Sequence, residues 1–307
     1  MSDKVIVTAA ITGSIHTTSM SPYLPITPRQ IADEAIRSWE MGAAVAHIHV
    51  RNPETGQPVS DLELFREVVT EIKSRSDMIV CITTGGGLGM TAEQRLKPIS
   101  VFKPELASFN AGSLNFALFH ALDKYQDYKF PWESQFLAMT EDMIFPNTFK
   151  TMREFCTIFS EQRTKPEFEV YDAGMINNLA FLINKGYVKK PVYLQYVMGV
   201  LGGITPSPEN VMFLVDYTRR LIGDFFFSVC VAGRAQFPIC TLSLLMGGNV
   251  RVGLEDNLYL DKGVLADSNA RQVEKIVRMA RELGISPATP NEARAILGLK
   301  GLKEVNF

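Results

Sequence analysis

Apolar residues along this chain fall into two alternating patterns. Short continuous runs of Val, Ile, Leu, Ala and Phe give way to longer stretches whose apolar positions recur every three or four residues. The first pattern reads as strands buried on both faces and the second as helices with one apolar face. Residues 5–11 (VIVTAAI) open the series as a strand. Thr27-Pro28-Arg29-Gln30 then starts a helix, with Thr as the cap, Pro at the first helical position and Gln completing a capping box. Ala32, Ile36 and Trp39 share its apolar face, and Gly42 ends it. Residues 44–51 (AVAHIHVR) form the next strand. Ser60-Asp61-Leu62-Glu63 reads as a second capping box, with Phe65, Val68 and Ile72 behind it, and residues 78–83 form another buried strand.

The rhythm continues with a short helix around 91–96, a strand near 105–110, a helix near 148–159 and a strand at 168–171. Asp172 caps a helix, 192–197 is a strand, Ser207-Pro208 opens a helix, and 226–231 is a strand. A helix near 237–246, a strand at 250–254, a long helix begun by Asp267 and a short one capped by Thr289 complete the chain. About eight strand–helix alternations predict a (β/α)8 TIM barrel formed by residues 1–307 as a single domain. The rival, an open doubly wound sheet, lacks its fingerprint. Gly85 to Gly89 does not have G-x-G-x-x-G spacing and does not follow the first strand. Residues 113–146 break the rhythm. They are rich in aromatics and without a period, and read as an insertion that covers a site or contacts another subunit.

Composition narrows the function classes. A net charge of −2 offers neither a basic stripe for nucleic acid nor a polybasic run for anionic lipid. No apolar stretch is long enough to span a bilayer, and Lys4 leads straight into a strand with no apolar leader before it. Cys81, Cys156, Cys230 and Cys240 lack C-x-x-C spacing; Cys81 and Cys230 lie in apolar strand-like runs and read as buried thiols, as expected of a cytoplasmic protein.

The chemistry gathers at the strands' carboxyl ends, where barrel active sites lie. His47 and His49 stand at positions i and i+2 of one strand, so both imidazoles project from one face. They read either as a metal pair or as one core histidine and one capping histidine. Barrel closure sets the eighth strand beside the first, with the second next to it, and so carries Glu255 toward both histidines. Two imidazoles and a carboxylate make a three-ligand site with an open position. Glu255 alternatively reads as a rim carboxylate paired with Arg251. Asp256, with Arg251 nearby, reads as a general base or as a structural ion pair. Thr83 and the glycines after it offer a hydroxyl and backbone N–H groups to an anion. An amidohydrolase-like metal site needs more histidines than the remaining His16 and His120 supply.

These segments resemble a known family. Thr8-Ala-Ala-Ile-Thr-Gly13, His47-Ile-His-Val-Arg51, Thr83-Thr-Gly-Gly86, Pro104-Glu-Leu-Ala-Ser108, Leu201-Gly-Gly203 and Asn249-Val-Arg-Val-Gly-Leu-Glu-Asp256 look like the β-keto acid cleavage enzymes, whose founding activity is 3-keto-5-aminohexanoate cleavage. The resemblance implies a zinc-bearing barrel, another divalent metal being an option, that assembles as a homo-oligomer such as a tetramer. It implies an acyltransferase that takes a small-molecule β-keto acid and acetyl-CoA to acetoacetate and a new acyl-CoA. Carried over by position, it makes His47, His49 and Glu255 the metal ligands and Asp256 the base, supported by Arg251 and Glu169. It sets Thr83, Gly86 and Ser108 near the substrate carboxylate. One departure bears on substrate choice. Where the founding activity has an acidic residue for the substrate ammonium, this chain has Ile15, which cannot pair a cation. A neutral or apolar substrate is therefore expected, with an aromatic cage for a quaternary ammonium as a second option. A metal-dependent aldolase or lyase that needs no acyl-CoA, and a non-catalytic keto-acid- or metal-binding barrel, are the competing classes.

Overall fold

A computed structural model describes residues 3–85 and 89–307. Eight parallel strands close into a barrel in chain order. They are β1 (Val7–Ala10), β2 (Val45–Ile48), β3 (Ile79–Ile82), β4 (Leu106–Asn110), β5 (Lys165–Val170), β6 (Val192–Met198), β7 (Phe225–Val231) and β8 (Asn249–Val252). Each is followed by a helix. Those after the first three strands are α1 (Pro28–Glu40), α2 (Leu62–Arg75) and α3 (Ala92–Phe102). After β4 come α4 (Pro131–Met139) and α5 (Phe149–Glu161), and α6 (Ala173–Asn184), α7 (Pro208–Ile222), α8 (Gln236–Leu245) and α9 (Asn269–Glu282) follow the remaining strands. The last helix, α10 (Pro290–Leu297), lays Ala293 and Leu297 against Ile6, Val45, Ile79, Leu106 and Tyr193, plugging the amino-terminal end of the barrel.

Alternation sorts each strand's side chains into two sets. Val7, Ala46, Val80, Phe109, Phe168, Leu194, Val229 and Val250 face outward into the apolar layer under the helices. Thr8, His47, Cys81, Ser108, Glu167, Gln195, Ser228 and Arg251 face the barrel axis and are buried. The closing seam between β8 and β1 is tight. A Cβ on Gly253, whose φ is +148°, would come within 2.1 Å of the Ala10 carbonyl oxygen.

The capping boxes at Thr27/Gln30 and Thr289/Glu292 form as the spacing predicts. Several boundaries move. The first strand divides, with Lys4–Val5 pairing Ser286–Pro287 while Val7–Ala10 enters the barrel. Asp61 rather than Ser60 caps α2, accepting from the Glu63 and Leu64 amides. Ser268 rather than Asp267 caps α9. The helix after Thr91 runs on to Phe102, through Pro98.

Residues 113–146 form a structured cover. Leu114–Asn115 pairs antiparallel with Ile144–Phe145 at its base, and α4 lies between them. Leu137 packs with Met20, Leu24, Leu254 and Leu258 in a separate apolar cluster above the barrel mouth. Glu133 accepts from Thr18 Oγ1 at 2.8 Å and the Ser19 amide at 3.1 Å, and Trp132 Nε1 donates to the Thr55 carbonyl.

Candidate active site

The turn after β8 delivers two adjacent carboxylates to the barrel mouth, and neighbouring elements fix its backbone. The Gly253 amide donates to Gln272 Oε1 and the Leu254 amide to Asn269 Oδ1, both at the start of α9. The Glu255 amide donates to the Ala10 carbonyl, and the Gly233 amide to the Asp256 carbonyl. Gly13, with φ +60°, lies against the Glu255 side chain, where a Cβ would stand 2.2 Å from Glu255 Cγ. The Thr-Gly step after β1 thus leaves room for Glu255.

Arg251 organises the charges. Its Nε and Nη2 donate to Asp256 Oδ2 and Oδ1, each at 2.9 Å, in a bidentate pair. Nη2 also donates to Glu255 Oε1 at 2.7 Å, and Nη1 reaches Glu169 Oε1 at 3.5 Å. Burial alone would raise the Glu255 pKa, but Arg251, His47 and His49 outweigh it and hold this carboxylate well below the usual range. Burial prevails at Asp256, whose pKa is raised despite Arg251, and at Glu169, also raised. Burial likewise lowers the His47 pKa against the pull of Glu255, which favours the neutral imidazole.

His47, His49 and Glu255 bring one ligand atom each within 4.8 Å of one another. Glu255 Oε1 lies 3.6 Å from His47 Nε2 and 3.4 Å from His49 Nε2. Both His47 nitrogens and Glu255 Oε2 are buried with no hydrogen-bond partner among the described residues. Unsatisfied buried polar atoms are rare and costly, and here they converge with the donor chemistry of a divalent-metal site. Glu255 Oε1 pairs with Arg251 as the rim-carboxylate reading expects, while Oε2 has no partner among the described residues. His16 lies apart from the triad, against the Leu254 carbonyl oxygen at 2.8 Å.

Above the triad opens a cavity of about 750 Å³, lined at its floor by His49, Thr83, Glu169, Arg251, Glu255 and Asp256. Thr83 Oγ1 accepts from the Gly85 amide at 2.9 Å. Ser108 lies behind this loop and not among the lining residues. Its Oγ accepts from the Thr84 amide and its carbonyl from Thr84 Oγ1, so it holds the loop in place. Gly86 falls outside the described residues. Ile15 lines the outer wall with Trp132, Phe136, Met139 and Ile144 of the cover.

Three lining residues give no local sequence signal of a role. Asn110 Nδ2 donates to Glu169 Oε2 at 3.1 Å, and the Tyr171 hydroxyl donates to the same atom at 3.3 Å. Arg95 braces the mouth: it donates to the Thr84 and Pro146 carbonyls and to Asn147 Oδ1, tying the Thr83 loop to the end of the cover. Its partners at 146 and 147 are some fifty residues away in sequence, which no periodicity registers.

A family model described as beta-keto acid cleavage enzyme matches residues 4–299. The chain is 43% identical, over 99% of its length and 98% of the relative's, to a protein of Paraburkholderia graminis named 3,5-dioxohexanoate:acetyl-CoA acetone transferase. It is 39% identical, over 97% of its length and 99% of the relative's, to a 3-keto-5-aminohexanoate cleavage enzyme of Acetoanaerobium sticklandii. Among solved structures, ObcA in binary complex with oxaloacetate superposes with a TM-score of 0.75 at 21% identity, over 92% of this chain and 68% of that one, a likeness of fold.

Proposed function

The chain belongs to the beta-keto acid cleavage enzyme family, and we propose that its cavity converts a β-keto acid with an uncharged tail and acetyl-CoA into acetoacetate and a new acyl-CoA. One observation carries this reading. Two imidazoles and a carboxylate with unpartnered buried atoms converge beside an Arg251–Asp256 pair at the floor of a cavity.

His47, His49 and Glu255 would hold a divalent ion, zinc being expected, which supplies Lewis-acid polarisation of the substrate's keto group. Asp256 accepts the proton from the carbon between the keto and carboxylate groups. Its buried setting brings its basicity nearer to working pH, and the Arg251 fork fixes its orientation. That carbon bonds to the acetyl carbonyl as the C–S bond breaks. The freed thiolate then adds to the original keto carbon, the bond between that carbon and the carbon next to the carboxylate breaks, and Asp256 returns its proton to the departing acetoacetate. Glu169, positioned by Asn110 and Tyr171, faces the same space and supports Arg251. Thr83 receives the substrate carboxylate, with Ser108 as the anchor of its loop.

Ile15 and the aromatic wall support the uncharged tail. Asp142 is the acidic residue of the cover on this wall, and it is exposed to water. The 43%-identical relative is named for 3,5-dioxohexanoate, whose tail carries no charge. Acetyl-CoA in the names of such relatives supports the transferase over a lyase that needs no thioester. Exposed Phe149 and Phe181, with ring centroids 5.4 Å apart, and exposed Met212 and Phe213 support self-association into a homo-oligomer. The cysteines are free and buried, in keeping with a cytoplasmic setting.

The test is acetoacetate release from acetyl-CoA across β-keto acids with neutral, amino and quaternary-ammonium tails, with and without a chelator. Chelator-sensitive turnover of neutral tails, with little of the amino one, is the expected result. A preference for the amino tail overturns the reading of Ile15. No product from any acid by the metal-loaded protein overturns the transferase.

A further inference from the structure

Directly beneath the triad, the barrel axis is lined by polar side chains where barrels usually stack branched apolar ones. Thr8, His47, Cys81, Glu167, Gln195 and Ser228 are all buried there. Four members of this layer have buried polar atoms without a hydrogen bond among the described residues: both His47 nitrogens, Glu167 Oε1, Thr8 Oγ1 and Gln195 Oε1. Two of them, His47 and Glu167, set imidazole nitrogens against a carboxylate oxygen. The two residues are close neighbours. A His47 ring nitrogen, Cys81 Sγ and a Glu167 carboxylate oxygen lie within 4.8 Å of one another, and the Cys81 thiol donates to Glu167 Oε2 at 3.6 Å.

A neutral imidazole carries one proton, and a metal needs the other nitrogen bare. His47 Nε2 is the nitrogen 3.6 Å from Glu255 Oε1, on the side of the triad, which leaves Nδ1 to carry the proton. That proton needs an acceptor in a buried layer, and an unpartnered carboxylate oxygen needs a donor. We propose that Glu167 is a positioning residue for the metal centre: it accepts the Nδ1 proton of His47, directly or through one buried water, and so fixes the tautomer and ring angle that present Nε2 to the ion. A carboxylate behind a metal-bound imidazole also strengthens it as a ligand. The Cys81 thiol holds the second oxygen of Glu167 and keeps the carboxylate turned toward the layer. The alternative, a second ion held by His47, Cys81 and Glu167, would require one imidazole to serve two ions.

This inference rests on His47 being a metal ligand, and the experiment separates the two. Metal content per chain and zinc affinity, by competition with a chromophoric chelator, are measured for the native protein and for Glu167→Gln, with melting temperatures of both metal-free forms. The expected result is one ion per chain, an affinity about 10–100-fold weaker in Glu167→Gln, and similar metal-free melting temperatures. A native protein that binds no ion overturns the ligand assignment and this inference with it. Native binding that Glu167→Gln matches within about twofold overturns the inference alone. Two ions per chain, falling to one in Cys81→Ala, overturns it in favour of a second metal site. Should Glu167→Gln fail to fold, nitrogen-15 histidine spectra of the zinc-loaded native protein decide. A slowly exchanging Nδ1–H on His47 is expected, and a proton on Nε2 refutes the proposal.

Discussion

The two faces of the same eight strands differ in almost every respect. Outward, Phe109 meets Phe155, Phe159 and Phe168 edge-on, with ring centroids 5.0–5.6 Å apart, inside a continuous apolar layer. Inward, one guanidinium serves three carboxylates, while two imidazole nitrogens and two carboxylate oxygens have no partner among the described residues. The outward face is built from non-directional contacts, each small, whose sum holds the barrel against its helices. The inward face is built from directional contacts, few in number, and part of its hydrogen-bonding capacity is left open. Stability and chemistry are thereby assigned to alternate residues of one strand, and damage to one side need not be felt on the other.

Two substitutions test that separation and a third probes the cover beside it, in descending order of effect. Asp256→Asn keeps the shape of the side chain but removes the base, and kcat is expected to fall about 10²–10⁴-fold with zinc affinity nearly unchanged. A variant that retained most of its turnover would remove Asp256 from the proton transfer. Phe109→Ala acts on the other face. It is expected to cost about 3–5 kcal/mol in a denaturant titration, while the folded protein keeps its metal affinity. Metal loss at a denaturant concentration where the barrel is still folded would show the faces to be coupled.

The smallest effect concerns the cover, which belongs to neither face. Burial raises the Glu133 pKa, but hydrogen bonds from Thr17, Thr18 and Ser19 outweigh it and set the folded value below the ordinary one. A group so depressed stabilises the cover above its ordinary pKa of about 4.5, and that contribution is lost as pH falls through the folded value. Trp132 fluorescence, read in a Trp39→Phe background, should change as pH drops below about 4.5. Glu133→Gln should lose that transition and weaken the attachment by about 1 kcal/mol. An acid transition of equal size in Glu133→Gln would assign it to another group.

Much of the barrel, and the pairing of His47 with His49, was legible along the chain because both rest on short-range regularities. Continuous apolar runs marked the strands, Thr27/Gln30 and Thr289/Glu292 marked helix starts, and i, i+2 spacing turned both histidines to one side. Competing caps were harder to read. Ser60 and Asp61, like Asp267 and Ser268, are adjacent residues of capping type, and the local backbone chose the one nearer the helix. The cover had no period to read, because Leu137 packs in a cluster with Met20, Leu24 and Leu254, which lie far from it in sequence. Ser108 was set near the substrate carboxylate by the resemblance, and only the structure shows that its hydroxyl also accepts from the Thr84 amide behind the Thr83 loop.

The sequence by itself determined the alternation of elements, the burial of one strand face, and the pairing of imidazoles on another, since each depends on residues within a few positions of one another. Barrel closure pointed Glu255 toward those imidazoles, but only the tertiary structure decided their 3.4–3.6 Å separation, that Arg251 reaches Glu169 eighty-two positions away, and that Glu167 lies beneath His47. Those contacts depend on how the barrel closes and staggers its strands, a property of all eight strands together that no local window contains.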